Sequence, residues 1–156
     1  MTLSLYTPEQ VLPHARPMIL IDEMIARGPE RLVAAVDVRA ASLFFRPPRG
    51  IAAHVAIEWM AQTCAAFAGA QALDERRAVA IGFLLGTRDF RAEVDWFTQG
   101  ERLYVSAELE FQDEEMASFR CRTCRELDGA ALASARLNVY QPRDVQAFLA
   151  ARASAP

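Results

Sequence analysis

The chain has 156 residues, of which 53% are hydrophobic and 24% charged, with a net charge of −3. These values are typical of one ordered domain spanning 1–156, and the net charge argues against general nucleic-acid binding, which needs many unpaired cationic contacts to phosphate. No apolar run reaches the ~18 uncharged residues of a membrane helix, and the N-terminal MTLSLYTPEQ lacks the basic and then apolar pattern of a signal peptide. The sequence therefore predicts a cytoplasmic protein without a membrane span.

Short elements are predicted before a long central helix. Thr7 to Leu12 has the composition of a short helix that must end before Pro13, because the residue preceding a proline is disfavoured in the helical region. Met18 to Ala26 fits either a strand or a helical turn. Arg31 to Val38 is rich in β-branched residues, which predicts a strand.

The central helix is predicted over Ile51 to Leu73, where the composition and length of the run are helical. Pro47, Pro48 and Gly50 interrupt whatever precedes it, and the charged run from Asp74 to Arg77 closes it.

Strands predominate after this helix, and four are predicted before a candidate closing helix over Asp144 to Ala151: Ala78 to Arg88, Arg102 to Phe111, Met116 to Leu127 and Ala130 to Tyr140. The first of them is apolar at its centre, as expected of a buried strand. The second alternates in polarity, so its inward face is predicted to hold Leu103, Val105, Ala107, Leu109 and Phe111. Asp128-Gly129 is a strong hairpin signal between the last two. One long apolar helix followed by a mostly antiparallel sheet predicts the α+β class, with the helix packed on one sheet face.

A narrow polar stripe marks the central helix. His54, Glu58 and Gln62 fall within an arc of about 80° on a helix that is otherwise almost wholly apolar. A helix that is apolar nearly all round is enclosed by protein, so Glu58 is expected to be largely buried. Burial penalises a charged carboxylate and keeps the acid form available as a proton donor, with His54 close enough to couple to it.

An ordinary structural role is open for each of these residues. Glu58 and His54 would also fit a satisfied pair on an exposed helix edge, with Gln62 bonded to backbone. Trp59 fits the core as well as a substrate-binding wall, and His14 could simply anchor the loop in LPHARPM.

The cysteines and arginines give weaker signals. Cys121 and Cys124 form a lone C-x-x-C on a predicted strand, where residues three apart point to opposite faces, so ordinary reduced thiols are expected rather than a metal site. All 17 basic residues are arginine. Six of them form a cluster in the sequence that suits an acidic partner or a solvated rim: Arg46, Arg49, Arg76, Arg77, Arg88 and Arg91.

Several segments taken in order resemble a known family. LPHARPMILIDE, then FF, then EWMAQ with Glu58 and Gln62 four apart, are similar to the hotdog-fold β-hydroxyacyl-acyl carrier protein dehydratases. IGFLLGTRDF, FRCR and ASARLNVYQP resemble a narrower branch, the predicted 3-hydroxylacyl-acyl carrier protein dehydratases of aryl polyene biosynthesis clusters. The resemblance covers roughly residues 10 to 145.

The resemblance implies a hotdog fold, in which an antiparallel sheet wraps the helix and two subunits join edge to edge around shared active sites. It implies loss of water from a 3-hydroxyacyl thioester held on the phosphopantetheine arm of acyl carrier protein, with no further cofactor and no metal. Glu58 matches the helix carboxylate that protonates the leaving hydroxyl, and Gln62 matches the glutamine one turn later. Backbone N–H groups at the helix start, near Gly50, would polarise the thioester carbonyl.

One family residue is missing. The family's base is a histidine in a loop before the helix, and that loop reads FFRPPRG here, without histidine. His14 matches a histidine that the family does not use as the base. His54 lies in a different position and could replace the base only by geometry.

Three functions therefore stay open. The first is a hydroxyacyl thioester dehydratase with Glu58 as acid and His54 as candidate base, in a homodimer or in a heterodimer with another hotdog subunit. The second is a catalytically silent hotdog partner of a competent subunit, which the missing loop histidine favours. The third is a hotdog thioesterase that uses Glu58 alone to direct water.

Overall fold

The computed structural model describes residues 6–155, and in that range the chain forms three α-helices, one 3-10 turn and nine strands. The helices are α1 (Pro8–Val11), α2 (Ala56–Asp74) and α3 (Val145–Ala153), and the 3-10 turn covers Ala53–Val55. The strands are β1 (Glu23–Arg27), β2 (Arg31–Asp37), β3 (Phe45–Arg46), β4 (Gly50–Ala52), β5 (Phe83–Ala92), β6 (Trp96–Phe97), β7 (Arg102–Gln112), β8 (Met116–Cys124) and β9 (Ala131–Tyr140).

Two antiparallel sheets organise these strands. The larger has the order β1-β2-β7-β8-β9-β5, and the smaller has the order β3-β4-β6. Strand β5 follows α2 in the chain yet pairs only with β9, so it forms one edge of the larger sheet within the described residues.

Helix α2 packs against the larger sheet. Phe67 meets Phe119 of β8 edge to face, with ring centroids 5.6 Å apart, and Leu103 and Val105 of β7 are fully buried. At the start of the helix, Trp59 packs on Phe97 of β6 with centroids 5.0 Å apart. An antiparallel sheet therefore wraps a long central helix, which confirms the predicted α+β class and hotdog fold.

The predicted start of the central helix is wrong. Residues 50–52 form β4, which pairs with β3 and β6, and α2 begins only at Ala56. Apolar and β-branched residues suit a short strand as well as a helix, so composition conceals this break. The predicted end is confirmed: Arg76 has a φ of 57° and the Arg77 N–H donates to the Ala72 carbonyl, as in a Schellman cap.

The strand predicted over 78–88 is confirmed only from Phe83 onward, and its predicted burial is wrong. Residues 78–82 are not in a strand, and β5 is mostly exposed, with Leu85 47% accessible. Its apolar residues lie beside the free edge of the sheet in this chain. An apolar centre signals burial, but it does not say whether the same chain provides the cover.

Strand β7 follows the predicted alternation only in part. Leu103, Val105 and Ala107 are buried, whereas Phe111 is 58% exposed. A register shift against β8 falls between Leu109 and Phe111, and a bulge of this kind turns the following side chains to the other face. The predicted hairpin is confirmed, since β8 and β9 pair antiparallel and Asp128 in their connection has a φ of 57°.

The N-terminal segment lies along α2. Helix α1 contacts it where Gly69 faces the Val11 carbonyl, and the chain between α1 and β1 then passes the start of α2. The segment over 18–26, predicted as strand or helical turn, becomes a strand only from Glu23. Among the described helices, none has the length and apolarity needed to cross a membrane.

Candidate active site

A cleft of about 200 Å³ lies between α2 and the β5 end of the larger sheet. On the helix side its wall runs from Glu58 to Ala68 and contains small residues, among them Ala61 and Ala65. Ten residues of helix span about 15 Å, which is long enough for an extended chain. The sheet side comes from β5, β8 and β9, with apolar and aromatic residues that include Phe83, Leu84, Phe119, Val139 and Tyr140.

Gln62 holds the carboxylate of Glu58 in place where Glu58 lines this cleft. The Gln62 side chain is fully buried, and its Nε2 donates to Glu58 Oε1 at 3.0 Å. The same Nε2 donates to the Met18 carbonyl at 2.6 Å, and Oε1 accepts the Leu20 N–H at 2.8 Å. The amide therefore holds Glu58 and the N-terminal segment in one network.

Glu58 itself is less buried than predicted. Its side chain is 37% exposed in the single chain, so the expectation of a largely buried carboxylate is wrong for this chain alone. Of the three residues of the polar stripe, only Glu58 lines the cleft, because Gln62 is fully buried and His54 lies outside it. Any further burial of Glu58 has to come from a substrate or a second subunit.

His14 brings an imidazole to this carboxylate, with Nε2 4.0 Å from Glu58 Oε1. Its Nδ1 is buried and finds no hydrogen-bond partner among residues 6–155. A buried N–H without an acceptor is less well tolerated than an unpaired lone pair, which favours the tautomer that carries its proton on Nε2. A neutral His14 can therefore point an N–H at Glu58 or at a bound group.

Within the described residues, His54 makes no hydrogen bond or ion pair with Glu58. It lies in the 3-10 turn, not on the helix as predicted, and it is exposed. No hydrogen bond or ion pair of at most 4.0 Å joins it to Glu58 in the described part of the chain, and it does not line the cleft.

Gly50 and Trp59, the other two predicted site residues, have clear structural roles. Gly50 has a φ of 112°, and a Cβ there would lie 2.0 Å from the Phe97 carbonyl oxygen, so only glycine fits this contact between β4 and β6. Trp59 is 1% exposed and belongs to the core.

Cys64, Cys121 and Cys124 are free thiols in the described residues. Cys64 of α2 also lines the cleft, and its Sγ lies 3.6 Å from that of Cys121. Burial, together with the hydrogen bond to Cys121, raises the pKa of the Cys64 thiol well above its usual value. Cys64 is therefore held as a neutral thiol, which is a poor nucleophile.

Two features of the site were missed by sequence reasoning. The contact between His14 and Glu58 joins residues 44 positions apart, and no local pattern predicts it. The aromatic wall formed by Phe83 and Tyr140 was hidden because the segment containing Phe83 was assigned to a buried strand. Both depend on how the N-terminal segment and β5 dock around α2.

Comparison with known proteins identifies the family. A family model described as "ApeP-like: ApeP dehydratase" matches residues 6–150. A chain of the dehydratase heterocomplex ApeI:P from Xenorhabdus doucetiae superposes with a TM-score of 0.83 at 29% identity, covering 94% of this chain and 97% of that chain. No curated protein matches the sequence.

More distant structures share only the fold. AziG from S. sahachiroi has a TM-score of 0.60 at 16% identity over 78% of this chain and 91% of its own. A hypothetical thioesterase with coenzyme A from Streptococcus pneumoniae TIGR4 has a TM-score of 0.59 at 10% identity, over 77% and 84%. The match over residues 6–150 decides the family, and the chain belongs to the ApeP-like dehydratases.

Proposed function

We propose that this chain is a subunit of a cytoplasmic hotdog dehydratase that removes water from a 3-hydroxyacyl thioester carried on the phosphopantetheine arm of acyl carrier protein, in synthesis of the aryl polyene type. The observation that carries the proposal is the carboxylate of Glu58, fixed by Gln62 beside an apolar cleft in a member of a dehydratase family. A thioester with an extended acyl group matches this combination of one placed acid and a long apolar wall.

Glu58 is proposed as the acid of the reaction. Elimination requires that the C2–H bond breaks, that the electron pair forms the C2–C3 double bond, and that the C3 hydroxyl leaves as water after receiving a proton. Glu58 would supply that proton, because it is the carboxyl group held in the cleft by a buried donor. His14, with its N–H on Nε2, would stabilise the carboxylate left behind.

The base is proposed to come from a second hotdog subunit. The loop over 44–50 has no histidine, His54 makes no contact that supports the role, and the Nδ1 of His14 is buried and therefore out of reach of a bound substrate. The cleft borders the free β5 edge, where Ile81, Leu84 and Leu85 are exposed. A second subunit on that edge would cover these residues and reach the cleft. The similarity to a chain of the ApeI:P heterocomplex supports this arrangement.

Acyl carrier protein is proposed as the carrier because of unpaired arginines. Arg77 pairs with Glu75, but in the described part of the chain no carboxylate lies within ion-pair distance of the other five arginines of the sequence cluster, Arg46, Arg49, Arg76, Arg88 and Arg91. Arg88 and Arg91 lie exposed on β5, the strand that borders the cleft. Exposed arginines without a carboxylate partner on this strand suit an acidic partner.

The silent-partner function has one observation in its favour, the absence of a loop histidine. One experiment separates the functions. The purified chain, alone and co-purified with a hotdog dehydratase subunit that carries a loop histidine, is incubated with a 3-hydroxyacyl-carrier protein, and products are followed by mass spectrometry.

We expect loss of water by the complex and little by the chain alone. Water loss that persists when Glu58 is changed to glutamine would support the silent-partner function. Loss of the whole acyl group would support a thioesterase and overturn the proposal.

A further inference from the structure

Three aromatic rings meet on the sheet side of the cleft. Phe83 and Tyr140 are direct partners in the register of β5 and β9, so their side chains share one face, and both line the cleft. Phe148 of α3 packs on both, with centroids 4.9 Å from Phe83 and 5.2 Å from Tyr140. Phe148 does not line the cleft itself but lies behind the two rings that do.

Helix α3 is held by few contacts. Val145 and Phe148, three residues apart, are the half-buried residues of the helix, and all its other residues are exposed. Asp144 caps the helix by accepting the Ala147 N–H at 2.9 Å. The position of α3 on the sheet therefore depends mainly on the aromatic cluster and on the segment that leads into it.

That leading segment is itself tied to the cleft. The Arg143 N–H donates to Glu115 at 3.1 Å, the Arg143 side chain pairs with Glu114, and the Tyr140 hydroxyl donates to Glu115 at 3.2 Å. Glu114 and Glu115 belong to the turn between β7 and β8 and line the cleft. A shift of α3 would thus move two parts of the cleft wall together.

We infer that α3 sets the size of acyl group that the cleft accepts, with Phe148 as the positioning residue that holds Phe83 and Tyr140 against the cleft. This inference rests on the proposed function, since it takes the acyl chain of a thioester as the occupant. Removal of the Phe148 ring leaves Phe83 and Tyr140 free to turn away, which enlarges the cleft for longer chains. Glu58, on the opposite wall, is unaffected.

The test compares Phe148→Ala, Phe148→Leu and the matched control Leu149→Ala in the two-subunit complex. Leu149 is the neighbouring residue of α3 and is 46% exposed. The measured quantity is kcat/KM for a 3-hydroxydodecanoyl substrate divided by kcat/KM for a 3-hydroxybutyryl substrate. We expect Phe148→Ala to raise this ratio by about tenfold or more, since a single methylene in an apolar pocket already changes discrimination by about tenfold. Phe148→Leu should give a smaller increase and Leu149→Ala none.

A second measurement does not depend on catalysis. Binding of unreactive S-dodecanoyl and S-butyryl pantetheine is measured by calorimetry for the wild type and Phe148→Ala. A shift in preference toward the long chain without any dehydration would support the role of α3 and overturn the proposed function. Dehydration with an unchanged ratio and unchanged binding preference, or an equal shift in Leu149→Ala, would overturn the role of α3 alone.

Discussion

Gln62 is the residue that makes Glu58 part of a defined site. Its amide is fully buried and bonds to the Glu58 carboxylate, the Met18 carbonyl and the Leu20 N–H. A side chain with this many partners links α2 to the N-terminal segment that carries His14. The position of the Glu58 carboxylate and the stability of the fold therefore depend on the same residue.

Replacement of Gln62 by alanine should reduce stability and activity together. The change leaves the Leu20 N–H and the Met18 carbonyl without their partner and opens a cavity, so the free energy of unfolding should fall by about 2 to 4 kcal/mol. Chemical denaturation measures this loss. Gln71→Ala, on the same helix but half-buried and without a side-chain hydrogen bond in the described residues, should change the value by about 0.5 kcal/mol or less. Equal losses in both variants would contradict the role of Gln62.

The contact between Glu58 and Gln62 was predictable from sequence, because the two residues lie four positions apart on one helix. The partner of Glu58 was not. His54 was favoured by its spacing, but spacing on a helix applies only where the helix exists, and residue 54 lies before it. His14 reaches Glu58 because residues 13–22 run beside α2, which no short-range pattern in the sequence records.

Helix α1 approaches α2 closely at Gly69. At Gly69 of α2 a Cβ would lie 1.9 Å from the Val11 carbonyl oxygen, a backbone atom that cannot turn aside. Only glycine allows α1 to sit this close. The path of residues 13–22, and with it the position of His14, follows from this contact.

We expect Gly69→Ala to lower the free energy of unfolding by about 2 to 3 kcal/mol, because α1 must move away from α2. Thermal and chemical unfolding measure the effect. Gly86→Ala provides the control, since no heavy atom lies within 4 Å of a Cβ at that position in β5. A stability loss in Gly86→Ala as large as in Gly69→Ala would show that the close approach is not the cause.

The sequence predicts the type of most helices and strands correctly, but it predicts the residues at which they begin and end less well. Alternation and turn residues were enough for β7, β8, β9 and their hairpin. The bulge near Leu109 and the three-residue strand β4 were not predictable, because each depends on a partner strand distant in sequence. Strand β5 was predicted as buried, and its apolar residues instead mark an uncovered edge.

At the scale of the whole molecule, that edge is the proposed contact surface for the second subunit. Leu85 is 47% exposed on β5 and does not line the cleft, so it reports on association separately from substrate binding. Leu85→Glu should weaken binding of the second subunit at least about tenfold, since a charge would be buried at the contact. Light scattering on the mixed subunits measures this. The control Leu149→Glu, at a residue of α3 that is 46% exposed, should associate like the wild type. Normal association of Leu85→Glu would argue against β5 as the contact surface for the second subunit.

Arg88 and Arg91 of β5 are the proposed contact residues for acyl carrier protein. Arg88→Glu with Arg91→Glu should raise KM about tenfold for a substrate on acyl carrier protein and leave KM unchanged for the same acyl group on pantetheine, because only the carrier supplies negative charge. Steady-state kinetics at two salt concentrations test this. Arg125→Glu, exposed in the connection between β8 and β9 and outside the cleft, is the control. Equal increases for both substrates would indicate a structural effect.

The most direct measurement is the rate of water loss in the two-subunit complex that carries Glu58→Gln. Glutamine retains the shape of the side chain but cannot donate the proton, so we expect kcat to fall by about a hundredfold or more, with little change in thermal stability, because the Glu58 side chain is 37% exposed. Mass spectrometry of the acyl-carrier protein gives the rate. A complex with Glu58→Gln that dehydrates at the wild-type rate would show that this chain does not supply the acid.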